Sequence, residues 1–141
     1  METGELRLVL QRLKDGNASV DEVLERLRHL PFEDIGCATV DHHRALRQGF
    51  PEMVYGESKS VEQMERIVAS LAGKGNNVLV TRLAKDKALP MLNTFPDARY
   101  HADARCLTLE RKPVEVRGKG MILVVSAGTS DIPVAAEAAV T

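Results

Sequence analysis

The sequence predicts a mixed α/β protein: an N-terminal helical hairpin, a small mixed α/β domain, and then the first strand, turn and helix of a doubly wound domain. Three observations predict this fold class. Residues 1–31 carry apolar residues at helical spacing, residues 32–113 alternate strand-like and helix-like segments, and residues 121–141 resemble a buried strand followed by a glycine turn and a helix. Residues 114–120, which are rich in glycine and charge, form the expected linker.

The helical hairpin is predicted from two apolar stripes and their end signals. The first helix is expected to end at Gly16 and Asn17, and the second begins where Ser19 and Glu22 have the spacing of a capping box. The first stripe consists of Leu6, Val9, Leu10 and Leu13, and the second of Val20, Val23, Leu24, Leu27 and Leu30, with Pro31 just beyond it. A hairpin this short has to pack on something, so we expect a lid or an arm that binds a partner.

The middle segment is predicted to be a small α/β domain with a mixed sheet. Its strand-like stretches are ATVDHH, EMVYGE, NVLVTRL, ARYHADA and RCLTLER. One helix begins at Ser60, with a glutamine at capping-box spacing, and ends at Gly73 and Gly75; a weaker helix over residues 85–95 is expected to be interrupted by Pro90. The predicted core includes Val40, Val54, Ile67, Leu71, Val78, Val80 and Leu107.

Composition restricts the possible functions only loosely. The 141 residues leave room for one domain with a real core or for two small units, and the net charge of −1 does not favour binding to nucleic acid or to an anionic membrane surface. The longest apolar runs fall far short of the ~20 residues that span a bilayer, and the N-terminus lacks the layout of a signal peptide, so we expect a cytoplasmic protein. Cys37 and Cys106 form no spacing motif and are expected to be reduced.

The C-terminal stretch MILVVSAGTSDIPVAAEAAVT combines a predicted strand with a polar turn. Its apolar run, residues 121–125, is expected to be a strand buried on both faces. The residues of the turn that suit a helix N-cap are Thr129, Ser130 and Asp131, and Pro133 fits the first helical turn. Backbone N–H groups, hydroxyls and the helix dipole would meet at Gly128 and the residues after it, which favours a phosphate site; an ordinary capped turn fits the same pattern.

The densest polar cluster is VDHHRALRQGFPE, residues 40–52. Zinc binding is not favoured, because the adjacent His42 and His43 would point to opposite faces of a strand and no metal-ligand spacing lies nearby. If the segment is helical, Arg44 and Gln48 share a face and Arg47 lies near it, which suits a carboxylate or a phosphate. Two readings remain open: a salt-bridged loop, and contact with an anion or a nucleotide.

Two longer motifs in this order, VDHHRALRQGFPEMVYGESKS and ILVVSAGTSDIPVAAEAA, resemble the LarB family, which begins the synthesis of the nickel-pincer nucleotide cofactor. The resemblance extends from about residue 32 onward. It implies that the C-terminal half is similar to aminoimidazole ribonucleotide carboxylase (PurE), a doubly wound domain that assembles into a homo-oligomer. In the PurE pattern G-S-x-S-D, Ser130 and Asp131 match, whereas Ala127 and Gly128 depart from it.

The resemblance also implies an activity. Family members carboxylate the pyridinium ring of nicotinic acid adenine dinucleotide, using carbon dioxide or bicarbonate, and hydrolyse its pyrophosphate. For this chain we expect no cofactor and no metal. The nucleophilic cysteine of the family is expected beyond Thr141, so neither Cys37 nor Cys106 inherits that role. The expected substrate-binding residues of this chain are Gly128, Thr129, Ser130, Asp131, Arg44 and Arg47.

Two functions follow as hypotheses. In the first, the chain is the N-terminal part of such an enzyme and is inactive alone, because the sequence is expected to stop just inside the catalytic domain, by truncation or by proteolysis. The strand at residues 121–125 would then expose its edges. In the second, the chain is a non-catalytic module that binds a nucleotide or assembles subunits.

Overall fold

A computed structural model describes residues 3–28, 32–41, 44, 52–114 and 118–141. The chain divides into two compact units, residues 1–52 and residues 53–141, which are taken in turn. The predicted mixed α/β fold class is confirmed, with helices and two sheets. The domain boundaries that the sequence suggests, after residues 31, 113 and 120, stay a prediction.

The first unit contains the predicted helical hairpin. Helix α1 (Thr3–Lys14) and helix α2 (Val20–Arg28) pack against each other, and Gly16 adopts a φ of 73° in the turn that follows α1. The predicted capping box is present, since the Ser19 hydroxyl accepts a bond of 3.1 Å from the Glu22 N–H and the Ser19 N–H donates to the Glu22 carboxylate at 2.7 Å. Leu30 and Pro31 lie outside the described residues.

Only part of the predicted apolar stripes is buried in this unit. Val9 and Val23 are buried, whereas four other large apolar side chains of the hairpin are exposed: Leu8, Leu10, Val20 and Leu24. Among the described side chains, the helices therefore bury a narrow seam and leave these four apolar residues exposed.

The first unit also holds a short strand pair. Strand β1 (Phe32–Asp34) pairs antiparallel with strand β2 (Thr39–Asp41), and Val40 of β2 is buried as predicted. The tight turn between the strands uses Gly36 at a φ of 79°, with its N–H bonded to the Asp34 carboxylate at 2.7 Å. The sequence predicts β2 but not β1, whose three residues owe their strand conformation to this pairing.

The second unit is built on a four-stranded mixed sheet in the order β3-β4-β6-β5. Strands β3 and β4 are parallel, while β6 pairs antiparallel with both β4 and β5. The elements are β3 (Met53–Tyr55), α3 (Val61–Gly73), β4 (Val78–Thr81), α4 (Lys85–Thr94), β5 (Arg99–His101) and β6 (Cys106–Leu109). Helix α3 forms the crossover that parallel pairing requires.

Helix α3 follows the sequence prediction closely. The Ser60 hydroxyl accepts from the Gln63 N–H at 3.2 Å, the Gln63 side chain accepts from the Ser60 N–H at 3.0 Å, and Gly75 takes a φ of 74° after the last turn. The helix packs on β3, β4 and α4. All predicted core residues of the second unit are buried: Val54, Ile67, Leu71, Val78, Val80 and Leu107.

Helix α4 differs from the sequence prediction at Pro90. The sequence suggests that Pro90 interrupts this helix, but Pro90 lies inside a continuous helix of 10 residues. A proline there removes one backbone hydrogen bond. Ala88 and Met91, on either side of it, are fully buried, and this packing against α3 and β5 keeps the helix continuous.

The side chain of Asn77 forms a clasp with the backbone of Arg111 and Lys112, which joins the start of β4 to the chain that follows β6. Asn77, just before β4, donates from its side-chain amide to the Lys112 carbonyl at 2.9 Å. Its carbonyl oxygen accepts from the backbone N–H groups of Arg111 and Lys112 at 2.7 and 3.0 Å. The clasp fixes the chain that leaves β6 to the chain that enters β4.

The expected buried strand at residues 121–125 is not formed. No residue from 121 to 127 is in a strand, and Met121 and Ile122 are 93% and 91% exposed. A strand buried on both faces needs neighbours on its edges and cover on its faces, and no described strand pairs with this run. The turn and helix that follow are present, as a 3₁₀ turn at Thr129–Asp131 and helix α5 at Ile132–Val140.

No helix among the described residues has the length and apolar character needed to cross a membrane.

Candidate functional site

The predicted phosphate-binding residues lie together in one turn. The N–H of Asp131 bonds to the Gly128 carbonyl at 3.0 Å, which closes the 3₁₀ turn, and Pro133 occupies the first turn of α5 as predicted. A Cβ placed on Gly128 would lie 3.2 Å from the Asp131 carboxylate and 3.5 Å from the Ser130 hydroxyl. Both side chains therefore lie over the Gly128 backbone, and Thr129, Ser130 and Asp131 are all exposed to solvent.

The side-chain caps expected for this helix are not made. Asp131 is the residue before α5, but it adopts helical backbone angles, φ −89° and ψ −14°, and no side chain caps the helix. A capping residue normally has an extended backbone, which aims its oxygen at the next N–H groups. Because the 3₁₀ turn leads directly into α5, the Asp131 carboxylate lies over Gly128 instead.

The arginines of the DHHRALR segment belong to the other compact unit. Arg44 forms an ion pair with Glu52, with 3.3 Å between its terminal nitrogen and the carboxylate, and both side chains are partly exposed. Arg47 lies outside the described residues, as do His42 and His43. Arg44 thus binds a carboxylate of the protein itself, and contact between either arginine and a substrate stays a prediction.

No group of three histidine, cysteine or acidic side chains could hold a metal ion within the part of the chain that the structure describes. Asp34 accepts from the backbone in the β1–β2 turn, and the imidazole of His101 contacts the Thr108 hydroxyl at 2.9 Å.

Sequence reasoning missed a polar edge of the sheet, where the parallel strands β3 and β4 end. A Cβ on Gly56 would lie 3.0 Å from the Thr81 carbonyl, so a larger residue there would require the neighbouring strand to shift. The ammonium group of Lys87 donates to the carbonyls of Gly56, Glu57 and Lys59 at 3.3, 2.9 and 2.9 Å. These contacts fix the loop that follows β3.

The same edge carries an ion pair between β4 and the last helix. Arg82, directly after β4, donates from Nε to the Glu137 carboxylate of α5 at 2.9 Å. Tyr55, at the end of β3, donates to the Glu57 carboxylate, and this hydrogen bond raises the pKa of the tyrosine. A signal for this edge exists in the sequence, because the predicted strand NVLVTRL carries a basic residue close to its end.

Cys106 lies fully buried beside this edge. Its thiol donates to the Ala104 carbonyl at 3.3 Å, and burial, followed by the nearby Glu137 carboxylate, raises its pKa. A thiol with a raised pKa is protonated at neutral pH and is a poor nucleophile. Cys106 is therefore a structural cysteine in this fold.

The structure and the two sequence motifs define a class of protein. In this class a small mixed α/β domain is followed along the chain by a polar turn and a helix. Residues 32–112 match the model of the LarB/PurE-like N-terminal domain. The chain therefore belongs to the LarB/PurE-like family, as the sequence motifs suggested.

One curated relative extends this relationship over nearly the whole chain. An uncharacterized protein of Methanocaldococcus jannaschii is 32% identical over 140 residues, and the match covers 94% of this chain and 54% of the relative. The chain thus spans about half the length of the relative that it matches. The similarity includes residues on both sides of the family match.

Proposed function

We propose that this chain is the N-terminal part of an enzyme that carboxylates the pyridinium ring of nicotinic acid adenine dinucleotide and hydrolyses its pyrophosphate. The observation that carries the proposal is the family match over residues 32–112. The turn at Gly128–Asp131 supports it, since its glycine, hydroxyls and helix N-terminus provide the groups that phosphate sites use.

The proposed chemistry assigns different tasks to the two parts of the enzyme. A pyridinium ring is electron-poor, so a nucleophile must add to it before one of its carbons can attack carbon dioxide. The resemblance assigns that nucleophile to a cysteine beyond Thr141. Ser130 and Asp131 would hold and orient the nucleotide, and the chain of 141 residues would be inactive alone.

The experiment tests the turn within a full-length enzyme of the family that carries this N-terminal sequence. Ser130→Ala and Asp131→Asn are expected to lower the turnover number by about a hundredfold or more, because the turn would no longer orient the substrate. The assay measures the biscarboxylate mononucleotide and AMP formed from the dinucleotide and bicarbonate. Thr141→Ala, at the far end of α5, is the matched control and should leave turnover unchanged.

Two results would contradict the proposal. One is wild-type turnover in both turn variants. The other is turnover by residues 1–141 alone at a rate close to that of the full-length enzyme, since the missing nucleophile could then not be required.

A second candidate function is a non-catalytic module that assembles subunits or binds a nucleotide. The exposed apolar residues of the first unit favour it, since Leu8 is 65% and Val20 59% exposed on short helices. Titration calorimetry of the chain with the dinucleotide separates the nucleotide-binding roles from a purely structural one. Heat of binding that disappears in Asp131→Asn supports a nucleotide-binding role, which the turnover assay then assigns to the enzyme or to a non-catalytic module, whereas no heat together with dimers in sedimentation supports assembly.

A further inference from the structure

Two arginines at the polar edge of the sheet have an unusual backbone conformation. Arg82 and Arg105 adopt φ values of 53° and 48°, and they are the two non-glycine residues with positive φ among residues that the structure describes. The left-handed region is unfavourable for a side chain such as arginine, and such residues concentrate at ligand sites. Sequence reasoning assigned no role to either residue.

The backbones of the two arginines also lie close together. The β4–β6 ladder ends where Val80 pairs with Leu107, so Arg82 follows the last paired residue of β4 by two positions and Arg105 precedes that of β6 by two. The Leu83 N–H bonds to the Arg105 carbonyl at 2.7 Å, so the two chains remain adjacent there.

The surrounding structure holds this arrangement firmly. Leu83 is fully buried, and its carbonyl accepts from the Tyr100 hydroxyl at 2.9 Å. Cys106, next to Arg105, is also fully buried. The backbone at both arginines is therefore fixed by burial and hydrogen bonding on either side, and the two guanidinium groups start from defined positions.

One carboxylate neutralises half of this charge. Glu137 binds Arg82 at 2.9 Å, while no carboxylate of the described ranges forms an ion pair with the exposed Arg105. The pair lies where the parallel strands β3 and β4 end, which is the edge at which open α/β sheets bind ligands. An anion with more oxygens and more charge than one carboxylate would satisfy both arginines.

We propose that Arg82 and Arg105 form a binding site for a phosphate or diphosphate group, with the Glu137 carboxylate in contact with Arg82 when the site is empty. Guanidinium groups bind such groups through two parallel hydrogen bonds, and two of them can hold adjacent oxygens. Binding displaces Glu137 from Arg82. The inference does not depend on the proposed reaction, because inorganic pyrophosphate alone suffices as the probe.

The experiment is calorimetric titration of the chain with inorganic pyrophosphate at fixed pH and ionic strength. Arg82→Lys and Arg105→Lys keep the charge but lose the paired hydrogen bonds, and each is expected to weaken binding about tenfold. Glu137→Gln removes the competing carboxylate and should tighten binding severalfold. Arg99→Lys, at the exposed first position of β5, is the matched control and should bind like the wild type.

Arg105→Gly separates binding from folding. Glycine adopts a positive φ without strain, so this variant should melt at a higher temperature than the wild type while losing pyrophosphate binding. The proposal is overturned if the wild type binds no pyrophosphate, or if both lysine variants bind it as the wild type does. Loss of binding in Ser130→Ala alone would also overturn it and would place the phosphate at the turn of the proposed function.

Discussion

Lys87 shows how a single side chain organises the sheet edge. Its ammonium group carries three donors and meets three backbone carbonyls of the loop after β3. The Gly56 carbonyl also accepts from the Lys59 N–H at 3.4 Å, so Lys87 adds to this turn and supplies the pairing that a longer strand would have given the loop.

We expect Lys87→Met to lower the free energy of unfolding by about 2 kcal/mol, because hydrogen bonds from a charged donor are lost and carbonyls lose their partner. Urea denaturation followed by circular dichroism measures this change. Lys85→Met, at the exposed start of the same helix, is the control and should stay within about 0.5 kcal/mol of the wild type. Equal effects of the two substitutions would mean that the three bonds contribute nothing to stability.

The two cysteines should differ in reactivity. Cys106 is buried and its pKa is raised, whereas Cys37 is only half-buried, so a thiol reagent should label Cys37 in the native protein and Cys106 only after unfolding. Mass spectrometry of partly labelled protein identifies the modified residue. Rapid native labelling of Cys106 would contradict the burial.

The raised pKa of Cys106 also predicts the sign of a pH dependence. Its stabilising contribution is fully present below the pKa of the unfolded thiol, about 8.5, and is lost as the pH rises through the higher pKa of the folded state. Stability should therefore fall on the alkaline side, and Cys106→Ala should reduce that fall. An identical alkaline slope in the variant would exclude Cys106 as its source.

At the scale of elements, two capping boxes of similar geometry begin helices with different support. Helix α3 buries Met64, Ile67, Val68, Leu71 and Ala72, whereas Val23 is the buried residue among the described side chains of α2. Short helices draw most of their stability from such packing. The same local signal in the sequence thus begins a core helix in one unit and a weakly supported helix in the other.

Removing each cap should therefore have a different consequence. Ser60→Ala is expected to lower the free energy of global unfolding by about 1 kcal/mol while α3 remains helical. Ser19→Ala should act locally, by speeding amide exchange in α2 with little change in the global transition. Urea denaturation and hydrogen exchange distinguish the two effects. A global loss from Ser19→Ala as large as that from Ser60→Ala would contradict this difference in support.

At the scale of the whole molecule, the sequence predicted correctly the helix ends that depend on residues within a single helical turn. The boxes at Ser19 and Ser60 and the left-handed Gly16 belong to this group. Strand β1 was missed because its conformation depends on pairing with β2, and α4 continues through Pro90 because its flanks are buried. Tertiary contacts of this kind leave no mark within a short window of sequence.

The same distinction between local signals and tertiary contacts applies to the residues of the candidate site. The Gly128–Asp131 turn was found because cap residues and a proline follow one another along the chain. The pair of Arg82 and Arg105 was not found, because their proximity arises from the β4–β6 register and their strain is a property of backbone angles. A site assembled across a sheet requires the pairing to be known first.

The apolar run at residues 121–125 leads to a prediction about the whole chain. Since Met121 and Ile122 are almost fully exposed, Met121→Ser together with Ile122→Ser should leave the free energy of unfolding within about 0.5 kcal/mol of the wild type. The same pair should reduce self-association, because exposed apolar runs promote it. Urea denaturation and sedimentation velocity measure the two quantities. A marked loss of stability would show that the run is packed in solution.

The Asn77 clasp has a mechanical consequence. Any force applied to the chain after residue 112 reaches the hydrogen bonds between Asn77 and the backbone of Arg111 and Lys112 before it reaches β6. Those bonds would be loaded together, as in shear, whereas a strand end without a clasp would be peeled open one bond at a time. The chain after residue 112 could therefore move or be pulled without breaking the pairing of β4 and β6, because the hydrogen bonds of Asn77 would carry the load first.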